Sequence, residues 1–155
     1  MLTVRPAIID DAHAMTRLVH SSEAYAGIYR QVILTQVITD DYIRQNPARV
    51  AEDDGHLAGF YTLLVPGRGS EGEAELDYMF VADHLQGRGV GRTLIIDLHH
   101  HANQLGLARI QIVSHPPAEA FYQAVGARRV GTIPPRGPVT WSRPLLTLDV
   151  TDQPV

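Results

Sequence analysis

The sequence predicts an α/β (mixed α+β) fold, in which a central, mostly antiparallel mixed sheet of about six to seven strands is flanked by about four helices. Apolar segments of strand length and segments of helical periodicity follow the order strand, helices, three strands, helix, strand, helix, two strands. Tight turns predict antiparallel hairpins, and the strand–helix–strand crossover predicts a parallel pair. The 155 residues suit one domain, which we place at residues 1–150, with a C-terminal tail at residues 151–155.

Seven segments have the patterning of strands. They are residues 2–5, 49–52, 57–65, 73–81, 108–113, 127–131 and 139–150. Pro6 is expected to stop the first strand, and residues 108–113 predict a buried central strand. Alternation is clearest between Glu73 and Val81. The residues on its two faces are Ala74, Leu76, Tyr78 and Phe80 on one side, and Glu75, Asp77, Met79 and Val81 on the other.

Four segments predict helices, and each has a recognisable start or end. They are residues 10–22, 40–45, 90–105 and 116–125. Asp10 and Asp11 can cap the first helix, and Thr39 can cap the second. Apolar residues at helical spacing define the third helix, and Gly106 follows it as a natural C-cap. Residues 25–37 have no clear pattern.

Two residue types are absent, and each absence excludes a class of chemistry. The chain has no cysteine, which excludes disulfides, thiolate metal sites and a cysteine nucleophile. It also has no lysine, since all 13 basic residues are arginine. The missing lysine excludes a pyridoxal-type Schiff base and the lysine of a standard P-loop.

Charge and hydropathy predict a cytoplasmic protein. The formal net charge is −4 and no basic block is present, which disfavours a nucleic-acid partner. No apolar run reaches the ~18 residues of a membrane span, so no membrane partner is expected. The histidines His99, His100 and His101 stand at consecutive helix positions and point in different directions. We therefore expect a solvated helix face there and no functional metal.

A glycine-rich segment, Gln86–Gly91, opens the predicted third helix. The first N–H groups of a helix have no acceptor within it, and the positive end of the helix dipole lies there. Glycines let an anionic oxygen approach these N–H groups closely. The segment therefore predicts a diphosphate site. The residues concerned are Gly87, Gly89 and Gly91, with Arg88 and Arg92 adding positive charge.

The spacing of residues in this segment distinguishes three classes of phosphate-binding loop. The Rossmann fingerprint G-x-G-x-x-G, started at Gly87, would need a glycine where Arg92 stands. The P-loop G-x-x-x-x-G-K-[ST] would need a glycine at Gln86 and a lysine at Arg92. The third class is the pyrophosphate loop of coenzyme A-dependent acyltransferases, which this segment fits.

The loop and a later helix together resemble the GNAT superfamily of N-acyltransferases. The family's loop pattern is [QR]-x-x-G-x-[GA], which Gln86, Gly89 and Gly91 match. The segment ELDYMFVADHL looks like the family's fourth strand and its exit. The segment AEAFYQAVGARRVG is similar to the family's A-x-x-F-Y-x-x-x-G helix, and its matching residues are Ala118, Phe121, Tyr122 and Gly126. The resemblance covers residues 49–150 well and the earlier residues only by element order.

This resemblance implies a GNAT-like single domain that takes acetyl-CoA, or a related acyl-CoA, between splayed fourth and fifth strands. The pantetheine would insert there like an extra strand. The implied cofactor-binding residues are Met79, Phe80, Val81, Gln86, Gly87, Arg88, Gly89, Val90, Gly91 and Arg92. One departure is His115, which stands where many members have an asparagine that contacts the cofactor.

Acyl transfer to an amine needs a base for the ammonium proton, a donor for the developing oxyanion and an acid for the thiolate. Without cysteine, direct attack in a ternary complex is the economical route. Glu75 matches the strand glutamate of the family's histone-acetyltransferase branch, and Asp77 or a water chain are the other candidate bases. Tyr122 occupies the family's general-acid position, although a buried tyrosine can equally be a packing residue. The N–H of Met79 or Val81 would stabilise the oxyanion.

The sequence therefore predicts an N-acetyltransferase acting on a primary amine of a small molecule, peptide or protein. The alternative is a non-catalytic acyl-CoA-binding sensor, which would need the loop but not Tyr122 or the carboxylates. Glu23, Tyr25, Tyr29 and Tyr42 are candidates for a pocket that takes a cationic group, although ordinary packing explains them as well. A homodimer is compatible with the sequence.

Overall fold

The computed structural model describes residues 1–68 and 71–152. Its strands are β1 Leu2–Pro6, β2 Ala48–Asp53, β3 His56–Leu64, β4 Glu73–Val81, β5 Arg109–Val113, β6 Arg128–Ile133 and β7 Arg143–Asp149. Its α-helices are α1 Ala12–His20, α2 Arg30–Ile33, α3 Asp40–Gln45, α4 Val90–Gln104 and α5 Glu119–Ala124. The sheet order is β1-β2-β3-β4-β5-β7-β6. β4 and β5 are parallel, whereas β1/β2, β2/β3, β5/β7 and β6/β7 are antiparallel. The predicted mixed, mostly antiparallel sheet is confirmed.

Two of the differences from the predicted strand boundaries have a clear physical reason. β1 does end at Pro6, but Pro6 is its last residue and not the residue after it, because β1 is an edge strand and an edge tolerates a residue without an N–H. β7 begins at Arg143, four residues later than predicted. Arg136 and Val139 close a tight turn through reciprocal backbone hydrogen bonds of 2.9 and 3.1 Å, so the chain is still turning at the predicted start.

The chain forms two compact units, residues 1–62 with 78–94 (unit 1) and residues 63–77 with 95–155 (unit 2). The single domain over residues 1–150 stays a prediction. Residues 153–155 of the predicted tail, and residues 69 and 70 of the loop before β4, lie outside the described residues. Within the described part of the chain, no helix has both the length and the apolar character needed to cross a membrane.

Unit 1 packs α1 against the sheet through a fully buried core. This core contains Met15, Val19, Val50 and Phe60. Thr39 caps α3 as predicted, since its Oγ1 accepts from the Tyr42 N–H at 3.0 Å, a contact that stabilises a helix by about 1 kcal/mol.

The prediction that the Asp11 side chain caps α1 is wrong. The Asp11 carboxylate makes no capping bond to α1. It accepts instead from the two terminal nitrogens of Arg5, at 2.8 and 2.9 Å, and from the N–H of Ile8 at 2.8 Å. The Arg5 guanidinium lowers the pKa of Asp11. The carboxylate therefore ties β1 to the turn before α1.

Unit 2 has one apolar and one polar sheet face. Register partners share a face, so Ile110 lies between Ala74 and Leu148, and Ile112 lies between Leu76 and Leu146. All six of these side chains are buried. On the other face, which we call the polar face, the register partners are Glu73, Glu75, Arg109, Gln111, Thr147 and Asp149.

The histidine run is not the wholly solvated face that the sequence predicts. His99 is only 4% exposed, and its Nδ1 accepts from the Thr151 N–H at 3.1 Å. Asn103 donates to the Thr151 carbonyl at 3.1 Å, so two side chains of α4 hold one backbone unit. Burial lowers the pKa of His99. Leu105, predicted on the buried stripe, lies beyond the last residue of α4 and is 44% exposed.

Gly59 of β3 lies where several backbone and side-chain atoms crowd together. A Cβ at this position would stand 2.7 Å from the Phe80 carbonyl oxygen, 3.2 Å from Leu94 Cδ1 and 3.3 Å from Val90 Cγ1. The nearest of these atoms is backbone, which has little freedom to move. Position 59 therefore requires glycine for steric reasons.

We expect Gly59→Ala to lower the free energy of unfolding by about 1–3 kcal/mol, the usual cost of overpacking a close-packed core. Gly131→Ala is the matched control, because a Cβ at Gly131 would meet only the Leu145 side chain, at 3.8 Å and beyond. Urea denaturation of both variants measures the difference. Equal midpoints for the two variants would show that the atoms around Gly59 make room for a Cβ without cost, and would contradict the requirement for glycine.

Candidate active site

The pairing of β4 with β5 is short. Among the described residues it comprises the register pairs from Glu73/Arg109 to Leu76/Ile112, whereas β4 itself continues to Val81. This is the strand pair at which the resemblance implies a splay.

The glycine loop lies in unit 1, between the end of β4 and the start of α4. The Gln86 side chain donates from Nε2 to the Val81 carbonyl at 3.1 Å, which ties the loop to the strand it leaves. Gly87 and Gly89 have φ values of 77° and 84°, the left-handed region that favours glycine. A Cβ at either glycine would meet no heavy atom within 4 Å. The left-handed backbone conformation therefore favours glycine at both positions, and the space beside them is open to a ligand.

The first turn of α4 presents an electropositive end. Thr93 donates both its N–H, at 3.0 Å, and its hydroxyl, at 2.9 Å, to the Gly89 carbonyl. The N–H groups at the start of the helix have no acceptor within it. Arg88 and Arg92 are exposed and form no ion pair with any described residue. The open space, the backbone donors and two exposed guanidiniums together fit the diphosphate of coenzyme A.

Aromatic rings pack around the end of β4 in unit 1. Tyr25 stacks on Phe80 with centroids 5.3 Å apart, and Phe80 stacks on Phe60 at 6.0 Å. Tyr42 meets Tyr78 edge-on at 5.8 Å. Burial raises the pKa of Tyr25 to about 12. These ring contacts support the packing interpretation of Tyr25 and Tyr42.

The segment that the sequence left unassigned is attached to β4 and its exit at both ends. Just before residues 25–37, both Asp83 carboxylate oxygens accept from the Glu23 N–H, at 3.2 and 3.1 Å. At the end, the Tyr78 hydroxyl donates to Gln36 Oε1 at 2.8 Å. Glu23 is exposed and lies 3.9 Å from Arg30, so its carboxylate is used in a surface ion pair. No local pattern in the sequence indicates these contacts.

The candidate bases lie on β4 in unit 2. The Glu75 carboxylate is mostly buried, at 18% exposed, and its Oε1 lies 3.2 Å from Arg68 Nη1. Asp77, two residues further along the strand, is exposed. The sequence alone does not identify Arg68 as a partner of Glu75. A basic residue in the short loop before a strand with acidic residues was the one available signal.

Tyr122 lies on α5, also in unit 2. It is 8% exposed, whereas the neighbouring Phe121 is 37% exposed, and the two rings meet edge-on at 5.3 Å. The tyrosine is thus the more buried member of the pair. His115, at the position of the family's asparagine, is buried, and its carbonyl accepts from the Ser114 hydroxyl and the Ala118 N–H, both at 2.8 Å.

The described residues contain no cluster of three or more histidine, aspartate or glutamate side chains placed to hold a metal ion.

The residues of the candidate site form two groups. The strand end and glycine loop lie in unit 1, and the carboxylates and Tyr122 lie in unit 2.

Comparison with known proteins gives consistent matches. The family model described as Acetyltransferase (GNAT) family matches residues 15–127. A PaiA N-acetyltransferase from Thermoplasma acidophilum, solved in complex with coenzyme A, is similar with a TM-score of 0.76 at 18% identity, covering 96% of this chain and 99% of that one.

Two further solved structures share the fold. The protein yncA from Salmonella typhimurium, solved with its cofactor acetyl-CoA, has a TM-score of 0.74 at 18% identity, covering 100% of this chain and 97% of that one. The ribosomal-protein-S18-alanine N-acetyltransferase from Escherichia coli has a TM-score of 0.71 at 18% identity, covering 99% and 96%. At these identities the structural matches establish the fold.

Proposed function

Because the chain belongs to the GNAT acetyltransferase family, we propose that it is an acetyl-CoA-dependent N-acetyltransferase that acts on a primary amine of a small molecule, peptide or protein. The observation that carries this proposal is the Gln86–Gly91 loop, with its two left-handed glycines at the start of α4. We place the protein in the cytoplasm, and a homodimer is compatible with this role.

The chain's own residues would bind the donor, which supplies an activated acyl thioester. We assign the diphosphate to the segment from Gln86 to Arg92, where backbone N–H groups and two guanidiniums face open space. The backbone of Met79, Phe80 and Val81 would hold the pantetheine and the acyl carbonyl. The N–H of Met79 or Val81 would then stabilise negative charge on that oxygen.

Proton transfer is assigned to the residues of unit 2. Glu75 is the first candidate to take the ammonium proton, with Asp77 or a water chain as the others. Tyr122 would donate a proton to the leaving thiolate. With no cysteine in the chain, the amine would attack the thioester directly in a ternary complex. The alternative function, an acyl-CoA sensor, would need the loop alone.

Steady release of coenzyme A thiol distinguishes these two functions. We expect turnover of acetyl-CoA with members of a panel of primary amines, and initial-rate lines that intersect. Binding of coenzyme A without turnover of any amine would favour the sensor. Parallel lines, or an acetylated enzyme in mass spectra, would contradict the ternary-complex route.

Gly89→Glu tests the loop. The substitution places a negative charge where the diphosphate is proposed to bind, so we expect coenzyme A affinity to fall by at least about a hundredfold, the effect of two like charges in close contact. Gly106→Glu is the matched control. Its φ of 74° is similar and its Cβ would also meet open space, so it carries the same strain and charge. Calorimetry on both folded variants measures the affinity, and equal affinities would place the donor elsewhere.

Tyr122→Phe and Glu75→Gln test the proton transfers. Removing only the hydroxyl should lower kcat by about a hundredfold, the lower end for acid–base groups, because the thiolate of a thiol with a pKa of about 8.5 is already a tolerable leaving group. Glu75→Gln should lower kcat more at low pH than at high pH, because fewer acceptor amines are neutral at low pH. Asp77→Asn is the comparison variant for the base. The measurement is kcat and coenzyme A affinity between about pH 6 and pH 9. A Tyr122→Phe enzyme that turns over like wild type at every pH would make Tyr122 a packing residue.

A further inference from the structure

The proposed base is engaged by a guanidinium in the described structure. Arg68 Nη1 lies 3.2 Å from Glu75 Oε1, and the two side chains are 38% and 18% exposed. A carboxylate in such a contact has part of its charge neutralised and one oxygen occupied. An amine that gives its proton to Glu75 must therefore compete with Arg68, unless the acceptor offers Arg68 another partner.

Arg68 differs from the other arginines of the polar face in its place in the fold. Glu73 pairs with Arg109 of β5 at 2.9 Å, and Asp149 pairs with Arg128 of β6 at 3.6 Å, so both of these guanidiniums come from the sheet itself. Arg68 comes from the loop before β4. Its side chain is therefore anchored only at a loop and can exchange partners.

The backbone next to Arg68 is nevertheless fixed. Gly67 has a φ of 71°, and a Cβ there would lie 2.5 Å from the Glu75 nitrogen and 2.8 Å from the Ala74 carbonyl carbon. The loop is thus pressed against the backbone of β4 beside the candidate base. A fixed backbone with a half-exposed side chain is suited to holding a ligand group at a defined distance from Glu75.

Gln111 places a hydrogen-bond acceptor without a donor beside Glu75. The two residues are register partners on neighbouring parallel strands and so project from the same face. Gln111 Oε1 is shielded from solvent and has no hydrogen-bond donor among the described residues. A shielded carbonyl oxygen without a donor is unfavourable, and an ammonium N–H would satisfy it.

We propose that the amine acceptor is a small amino carboxylate, such as a free amino acid, whose carboxylate binds Arg68 while its ammonium binds Glu75 and Gln111 Oε1. This inference rests on the proposed function and identifies its substrate class. The ion pair between Arg68 and Glu75 is replaced by two ion pairs with the ligand. Arg68 then faces a negative group of the ligand and Glu75 a positive one. Because Arg68 and Glu75 lie in contact at 3.2 Å in the structure, their charged groups are close enough for one small ligand to reach both.

The exchange also frees the base. Once Arg68 holds the ligand's carboxylate, Glu75 takes a proton from the ammonium, and the neutral amine forms the C–N bond as the C–S bond breaks. Glu75 passes this first proton to solvent, takes the second proton that the nitrogen must lose, and passes that to solvent as well. The departing thiolate takes its proton from Tyr122, which solvent then reprotonates. The balance is ammonium plus thioester giving amide, thiol and one proton.

Matched acceptor pairs test the proposal. Initial rates are measured with acetyl-CoA and amino acids, each against its primary amide, which keeps the amine and loses the carboxylate charge. The amide has the more acidic ammonium and hence more neutral amine, so preference for the acid cannot come from amine basicity. Wild-type enzyme should prefer the acid by at least about tenfold in kcat/KM, the effect of one charge-assisted hydrogen bond.

Arg68→Gln should raise KM for amino acids by about tenfold or more. It should not lower kcat/KM for the amides, because they offer Arg68 no carboxylate and the substitution releases Glu75 from the guanidinium. Arg68→Lys should recover part of the loss, because it keeps the charge without the planar fork. Arg129→Gln is the matched control, since Arg129 is also a half-exposed arginine of unit 2, in an ion pair with Glu119, and it should behave like wild type. Equal use of acid and amide, or equal damage to both by Arg68→Gln, overturns the proposal.

Binding without turnover separates this inference from the proposed function. Calorimetric titration of amino acids into the coenzyme A-loaded protein needs no chemistry. Carboxylate-dependent binding that Arg68→Gln abolishes, with no turnover of any amine, would support the acceptor site and contradict the acetyltransferase. Turnover that is indifferent to the carboxylate would support the acetyltransferase and contradict the role of Arg68.

Discussion

The missing side chain at Gly59 is the constraint on which the glycine loop depends. The Phe80 carbonyl of β4 and the side chains of Val90 and Leu94 in α4 all lie close to the position that a Cβ would occupy. The end of one element and the start of the next therefore converge on one residue of β3. The chain between Phe80 and Val90 must turn back toward β3, and the left-handed conformations of Gly87 and Gly89 contribute to that turn. A packing requirement in the core thus sets the direction in which the N-terminus of α4 points.

A second arrangement organises unit 2, where carboxylates and guanidiniums lie in rows across one face of the sheet. Glu73 and Arg109 are register partners as well as an ion pair, so the strand pairing itself holds the charges together. Glu75 lacks such a partner in the sheet and pairs with Arg68 of a loop instead. The difference makes Glu75 the carboxylate of this face whose partner can be replaced most easily.

The sequence predicted those features that local chemistry determines. β4 was predicted with both of its boundaries because its residues alternate, and Thr39 was predicted as a cap because a hydroxyl before an acidic turn suits a helix start. The glycine loop belongs to the same class, since its conformation demands a particular residue type.

What the sequence could not predict depends on contacts between distant residues. The segment after Glu23 has no periodicity, and its position follows from hydrogen bonds to Asp83 and Tyr78. His99 is buried because the backbone of Thr151, 52 residues away, meets its ring. Arg68 becomes informative only when the fold places it beside Glu75. The proposed roles of Tyr122 and Glu75 come from the family resemblance of the segments that contain them and from the chemistry of acyl transfer.

The ion pairs of the polar face have a further consequence, because every cation in them is an arginine. Acyl thioesters modify exposed lysine amines without any enzyme, and each such modification removes a positive charge. A guanidinium is protonated at all ordinary pH values and is not a nucleophile of that kind. Since the chain contains no lysine, the side-chain charges of this acetyltransferase-family protein cannot be erased by the reagent that its family uses. The side-chain part of its electrostatic pattern is therefore inert to acyl thioesters.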